Sequence, residues 1–319
     1  MSGAGHISSV LAGLLLFASC TSTLAPSALP TPMLIAAPPG PAKAQIMAVH
    51  GFNDHRTAFA GFAAYAADRG IRVMAYDQQG FGESANLGLW PGRERLVEDL
   101  VDRLETAHAE RPDLPLYLLG ESMGGAVSIV TLAEHPDLPV EGVILSAPAV
   151  WGGDAMNPFY RAVLWFAARI APGWKLSGQG LGKLASDNID MLRALRDDPL
   201  YIKDTRIDAI EGVVGLMRDA RNDGPALQLP RLVLGGARDE IIPPEAYLSF
   251  VASLHPKNCI GLSYPDGWHL LLRDLQRRTV WKDIVDWIDN GHVLSPRPDM
   301  IACGKAVTPA SGRSGPGEE

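Results

Sequence analysis

Apolar residues fall along this chain in two alternating rhythms. Unbroken runs of strand length occur at Ala44 to Val49, Ile71 to Tyr76, Leu114 to Leu119, Val140 to Ser146, Leu229 to Leu234 and Ile260 to Tyr264, with a weaker start at Met33 to Ala36. Between them the spacing is helical. Residues 56 to 68 are alanine-rich and stopped by Gly70, while Leu96, Leu100, Val101 and Leu104 mark an amphipathic helix reaching about Ala109. Val127, Ile129, Val130 and Leu132 continue a further helix to Pro136, and two more are expected near 244 to 254 and from Thr279 to Ile288. Strands that are apolar on both faces and separated by helices predict the α/β class, a mainly parallel sheet with helices on both faces.

The alternation lapses once. From Trp151 to about Asn222 the pattern reads as all helical, with Asn157-Pro158 as N-cap and first residue of a helix to Ile170, and shorter segments around 189 to 196 and 206 to 219. An insert between two strands of a parallel sheet predicts a helical cap over the strand ends, where ligands bind in open α/β sheets. The expected core is therefore 33 to 150 with 223 to 291, and the cap is 151 to 222. Residues 292 to 319, rich in Pro, Gly and Ser with hardly any periodicity, are expected to be a disordered tail.

Composition narrows the function classes. The chain is 47% hydrophobic and 20% charged, and its net charge of −8 comes without long acidic blocks. The densest basic cluster is only Arg273 with Arg277 and Arg278, which gives nucleic acid no footprint. There is no CxxC, no HExxH, no GxGxxG and no GK[ST], so neither a metal nor a phosphate-bearing cofactor is implied.

Candidate chemistry sits where a strand turns into a helix. Gly120-Glu121-Ser122-Met123-Gly124 is a GxSxG pattern in the strand-turn-helix context of a nucleophile elbow, with glycines where side chains would strike neighbouring backbone. The helix behind it aims the Met123 N–H at the place where an oxyanion would form. A serine needs a base, and the base an orienting carboxylate. His269, in the turn-like Pro265-Asp266-Gly267-Trp268-His269 after a strand, is the candidate base. Asp239, just past the strand at 229 to 234, is the candidate acid, with Asp266 as its competitor. The order Ser, acid, His favours Asp239. Asp77, which opens the loop Asp77-Gln-Gln-Gly-Phe-Gly-Glu-Ser84, is expected to fix that loop as a hydrogen-bond acceptor.

Five blocks in this order, His50-Gly51-Phe52, Tyr76-Asp77 with Gly80-Phe81-Gly82-Glu83-Ser84, Gly120 to Gly125, Gly235 to Asp239 with Ile242-Pro243, and Gly267-Trp268-His269, carry a resemblance. From about Ala44 to Ile288 the chain resembles the α/β-hydrolase family of monoacylglycerol lipases and lysophospholipases, sometimes grouped with the serine aminopeptidases. The resemblance implies Ser122 as nucleophile, His269 as base, Asp239 as its orienter, and the N–H groups of Phe52 and Met123 as the oxyanion hole. It implies no cofactor. Phe81 departs from the family, which usually has histidine there, and the short stretch before residue 44 leaves room for a sheet one or two strands short at that edge.

The insert is rich in aromatic residues. Phe159, Val163, Phe166 and Ile170 share one helical face, which reads most simply as packing on the core. Trp151, Phe159, Tyr160, Trp165 and Trp174 are candidates for an acyl pocket or a membrane contact. Lipid-like esters of the monoacylglycerol or lysophospholipid type, hydrolysed through an acyl-serine, fit that lining. Peptidase, C–C bond hydrolase and perhydrolase chemistry on the same triad stay open, as does a non-catalytic binding protein on the fold. The single Gly51 after His50, where proline-specific peptidases carry Gly-Gly-Pro, speaks against those.

Val10 to Ala18 has the length of a signal-peptide apolar region and ends in Leu16-Phe17-Ala18-Ser19-Cys20, which resembles a bacterial lipobox. Residues 1 to 20 are read as a lipoprotein signal with Cys20 the lipidated residue, and 21 to 32, rich in Thr, Ser, Ala and Pro, as a flexible tether. A membrane-anchored, periplasmic or secreted location follows from that reading. An ordinary cleaved signal and a cytoplasmic extension remain alternatives, since residues 1 to 9 hold no Lys or Arg. In an oxidising compartment Cys259 and Cys303 could pair, a matter spacing alone leaves open. The oligomeric state is open too.

Overall fold

The computed structural model describes residues 32–152, 156–177, 182–293 and 300–305. The signal segment 1–20 with Cys20, and all of the tether but Pro32, lie outside these residues.

An eight-stranded sheet in the order β1-β3-β2-β4-β5-β8-β9-β10 forms the centre of the fold. Its parallel body consists of β2 (Ala44–Val49), β3 (Ile71–Tyr76), β4 (Leu116–Glu121), β5 (Gly142–Ser146), β8 (Arg231–Gly236) and β9 (Cys259–Tyr264). Antiparallel strands close both edges. On one side β1 (Met33–Ala36) pairs Met33 with Tyr76, and on the other β10 (Met300–Ile301) pairs Met300 with Leu262.

Every residue of β2 is buried. Its Met47 and Val49 face one apolar cluster and its Ile46 and Ala48 the other, the period of two that a pleated strand imposes. The first cluster is completed by Leu96, Leu100 and Leu104 of α2 (Arg93–Glu110), Val127 of α3 (Met123–Glu134), Val213 and Leu216 of α6 (Ile207–Asp223), and Phe250 of α7 (Pro244–Ser253). Phe62 of α1 (Ala60–Ala67) with Val280 and Ile284 of α8 (Arg277–Asn290) fill the second. Helices thus cover both faces.

The chain runs from β2 outward to β3, then returns to place β4 on the opposite flank of β2. That reversal is the switch point at which open α/β sheets bind ligands. Val49 stands opposite Gly120 in the register, so the residues after β2 and the residues after β4 leave the sheet side by side.

Three expectations are corrected. The insert is not all helical, because β6 (Lys175–Ser177), after α4 (Pro158–Ile170), and β7 (Asp204–Arg206), between α5 (Ile189–Asp197) and α6, form a small antiparallel pair. Each strand has only three residues, too few to show a period. The cap does not extend to 222 either. Helix α6 buries Val213, Leu216 and Ala220 in the core cluster, so its later turns pack as core. Lastly, the tail is not without structure throughout: β10 adds a strand, and Cys303 is buried in a disulfide with Cys259, their Cα atoms 6.1 Å apart. Two paired residues and one cross-link order this piece without any periodicity. At the opposite edge, β1 supplies the antiparallel strand that the short early sequence had put in doubt.

Candidate active site

The site begins with a strained residue. Ser122 has φ 52° and ψ −116°, a conformation that costs a non-glycine residue about 1–3 kcal/mol. The surroundings hold it there. Its N–H donates to Ser146 O at 3.0 Å, and its carbonyl accepts from Ala126 N at 3.2 Å and Ala149 N at 3.0 Å. Glycine is obligatory beside it, since a Cβ on Gly124 would lie 2.0 Å from Val49 O and one on Gly120 2.5 Å from Gly124 O.

Two loops from more distant strands reach the serine. The first follows β9: His269, nearly buried, places Nε2 2.9 Å from Ser122 Oγ and donates from Nδ1 to Asp239 Oδ2 at 2.8 Å. The second follows β8, where Asp239 is fixed by the N–H groups of Ile241 at 2.8 Å and Ile242 at 2.9 Å, both on Oδ1. With Nδ1 carrying the proton, Nε2 is left as the acceptor for the serine hydroxyl. Burial opposes a charged imidazole, but the Asp239 carboxylate, by charge and hydrogen bond, and Glu121 behind it carry the His269 pKa above its ordinary 6.5. Asp266 is elsewhere, exposed and paired with Arg238 at 2.5 Å.

The loop after β2 passes directly over the elbow. A Cβ on Gly51 would stand 3.3 Å from Ser122 Cβ, so the backbone that leads into Phe52 crosses the elbow in near-contact. Neither the Phe52 nor the Met123 N–H takes part in the turn and loop hydrogen bonds around it among the described residues. His50 anchors this loop. It is fully buried, accepts from Gln78 N at 3.0 Å through Nε2, and donates from Nδ1 to Gly51 O at 2.8 Å. Desolvation pulls its pKa below 6.5, against the pull of the Gly51 carbonyl and of Asp54 and Asp77, which keeps it neutral in this role. Phe81, the residue in place of the family's histidine, packs edge-on against His50 and Phe52 at 5.7 and 5.8 Å between ring centres. Asp77 takes the Arg56 N–H at 2.7 Å and the Glu83 N–H at 2.8 Å and pairs with the Arg56 guanidinium, so it does fix the loop that it opens.

A layer of charge beneath the triad has no counterpart in the sequence reading. The Arg273 guanidinium lies between the carboxylates of Asp54 and Glu121, all three side chains nearly or fully buried. One signal was available: Glu121 is a charged residue inside an otherwise apolar elbow. Asp274, next along, accepts from Trp268 N at 2.7 Å and Ser186 Oγ at 2.6 Å, and burial pushes its pKa up to about 6 against both bonds.

The insert touches these loops closely. Leu184 N donates to the Glu240 carboxylate at 2.7 Å, Leu270 N to Ala185 O at 2.9 Å, Asn188 Nδ2 to Arg273 O at 2.9 Å, and Asn53 Nδ2 to Thr205 Oγ1 at 2.7 Å. It therefore braces the acid loop, the histidine loop and the loop over the elbow, besides lying beyond the strand ends.

The pocket candidates separate. Trp151 is half-buried against the core. Trp165, with Arg161, Leu164, Val214 and Arg218, lines a cavity of about 330 Å³ between α4 and α6 whose lining includes no member of the triad. Phe159, Tyr160 and Trp174 are 69, 66 and 72% exposed, and Val163, Phe166 and Ile170 are exposed as well. The expectation that Phe159, Val163, Phe166 and Ile170 pack on the core is overturned, because α4 buries no residue. Among the described residues no cluster of His, Cys, Asp or Glu is arranged to hold a metal ion, and no helix is long and apolar enough to cross a membrane.

The profile of the serine aminopeptidase S33 family matches residues 40–276. The chain is 25% identical over 246 residues to a monoacylglycerol lipase of Mycolicibacterium smegmatis, covering 76% of this chain and 87% of that one. It is 28% identical over 263 residues to the monoglyceride lipase of Mus musculus, covering 79% and 84%. Among solved structures it is similar to the monoacylglycerol lipase of Paleococcus ferrophilus, with a TM-score of 0.70 at 24% identity over 81% of this chain and 98% of that one. A soluble variant of the Saccharomyces cerevisiae monoglyceride lipase, crystallised with a substrate analogue, gives 0.70 at 17% identity, covering 82% and 92%.

Proposed function

The chain belongs to the serine aminopeptidase S33 family of α/β-hydrolases, and from that premise we propose that it is a serine hydrolase of lipid-like carboxylic esters, of the monoacylglycerol or lysophospholipid type. The observation that carries the reading is the unbroken line from Ser122 Oγ to His269 Nε2 and from Nδ1 to Asp239. Ser122 Oγ attacks the ester carbonyl while His269 Nε2 takes its proton, and the Phe52 and Met123 N–H groups receive the oxyanion. The tetrahedral adduct collapses, His269 returns the proton to the departing alcohol, and the acyl group stays on Ser122. Water, deprotonated by the same nitrogen, then releases the acid and restores the serine. No step needs a cofactor.

The lipid-like substrate is supported by the monoglyceride lipases among the relatives and by the exposed apolar face of α4. Such a face suits contact with a lipid surface. A membrane-anchored lipoprotein, processed at Cys20, or else a periplasmic or secreted protein, is supported by the apolar segment ending at that cysteine. The Cys259–Cys303 disulfide supports it too, since such bonds persist in oxidising compartments.

A panel of p-nitrophenyl esters of rising acyl length, with a monoacylglycerol, a lysophospholipid and an aminoacyl p-nitroanilide, tests the reading. Hydrolysis of the lipid esters, lost in Ser122→Ala together with fluorophosphonate labelling, is the expected result. Cleavage of the anilide alone would instead make the protein a peptidase. For the anchor, palmitate labelling should disappear in Cys20→Ala.

A further inference from the structure

Arg273 stands four residues beyond His269 in the same loop, and its partners come from two of the other three segments that build the site. Asp54 lies two residues after Phe52 and Glu121 immediately precedes Ser122. The guanidinium Nη2 donates to Asp54 Oδ2 and, at 3.1 Å, to Glu121 Oε2. These contacts bridge 219 and 152 residues of sequence. Side-chain exposures of 12, 5 and 1% for Arg273, Asp54 and Glu121 put the cluster out of water, where one nitrogen of a rigid, permanently charged guanidinium meets both carboxylates. The loop is tethered at its backbone as well, by Asn188 on Arg273 O at 2.9 Å and by Arg273 N on Leu270 O at 2.8 Å.

Resting on the reading of Ser122, His269 and Asp239 as the reacting and orienting groups, we propose that Arg273 is a positioning residue that locks the oxyanion loop, the nucleophile elbow and the histidine loop into one register. Without the lock, each of the three segments can shift against the others while the triad bonds persist. The loss then appears in the chemical step, because a displacement of about 1 Å costs on the order of 100-fold in rate.

The cluster also sets the charge seen by the base. His269 faces Asp239 from the loop after β8, Glu121 from the end of β4, and Arg273 from its own loop. Asp239 and Glu121 favour the imidazolium and Arg273 opposes it. Since Nε2 must be neutral to take the serine proton, a higher His269 pKa moves the acid limb of kcat/KM to higher pH.

The test compares Arg273→Gln, Arg273→Lys and Glu121→Gln on a short p-nitrophenyl ester, with fluorophosphonate labelling of the unmodified protein first. If the unmodified protein neither labels nor hydrolyses, the hydrolase reading fails and this inference falls with it. Given an active protein, Arg273→Gln should lower kcat about 10- to 100-fold with KM nearly unchanged. Its acid limb should move to higher pH. Arg273→Lys should restore the limb but only part of kcat, and Glu121→Gln should move the limb to lower pH. A wild-type kcat in Arg273→Gln overturns the proposal, and so does a loss shared equally by the Lys variant with no movement of the limb. Should Arg273→Gln fail to fold, the other two variants decide: an unmoved limb in Glu121→Gln, or full kcat in Arg273→Lys, overturns it.

Discussion

Asp239 grips His269 through Nδ1 and so decides which ring nitrogen meets Ser122. An asparagine there can donate as well as accept, which lets the ring turn to the wrong tautomer. Asp239→Asn should therefore lose on the order of 10⁴ in kcat, measured on a soluble ester. Asp266→Asn, which alters an exposed ion pair with Arg238, should leave kcat within about twofold. The titration of His269 gives a second expectation. With its pKa raised above 6.5, activity should fall with acidification from a point above that value, as the imidazolium forms and can no longer take a proton. A pH profile of kcat/KM with its acid limb below 6.5 would contradict it. Ser122, Asp239 and His269 were legible in the chain because each stands in a local turn motif at a strand's end. The Asp54–Arg273–Glu121 cluster was not, because an ion pair across such sequence distances leaves no local pattern.

At the level of elements, α4 shows where hydrophobic periodicity stops informing. Its spacing predicts an amphipathic helix, capped by Asn157 Oδ1 on Phe159 N at 2.9 Å, yet the same spacing does not say what covers the apolar side. Here nothing among the described residues buries it. Replacing Phe159, Phe166 and Ile170 together with serine should change the melting temperature by only about 2 °C, since exposed substitutions are usually close to neutral. The same variant should bind vesicles less and lose activity on long-chain esters while keeping it on short ones, as sedimentation and a matched assay would read. Equal loss on both chain lengths would make the face structural. Excision of the insert is a different experiment. Removal of 151 to 222 would strip Val213 and Leu216 from the core, roughly 1.5–3 kcal/mol for each side chain. It would also take away the braces that Ala185, Ser186 and Asn188 give the histidine loop. The expected outcome is an unfolded chain.

For the molecule as a whole, the Cys259–Cys303 link closes a loop of 44 residues around α8 and the last strand. In the chain-entropy model a loop of that size stabilises the fold by about 4 kcal/mol. Urea unfolding of Cys303→Ser should show a loss of that order with the triad still active at 25 °C, because the link sits at the sheet edge away from the ends of β4 and β8. The parallel core was legible from its strand runs, whereas a two-residue strand and one cross-link were too small to register. The order of the strands has a consequence in time. Ser122 and the loop proposed as its oxyanion hole come from the first half of the chain, but His269, its proposed base, lies 147 residues later. At about 5–20 residues per second of synthesis, Ser122 and that loop are made on the order of ten seconds before His269. A ribosome-bound chain stopped before residue 269 should carry its serine and take no fluorophosphonate label. Labelling should begin only once the chain extends through His269 and the loop after β9 can dock.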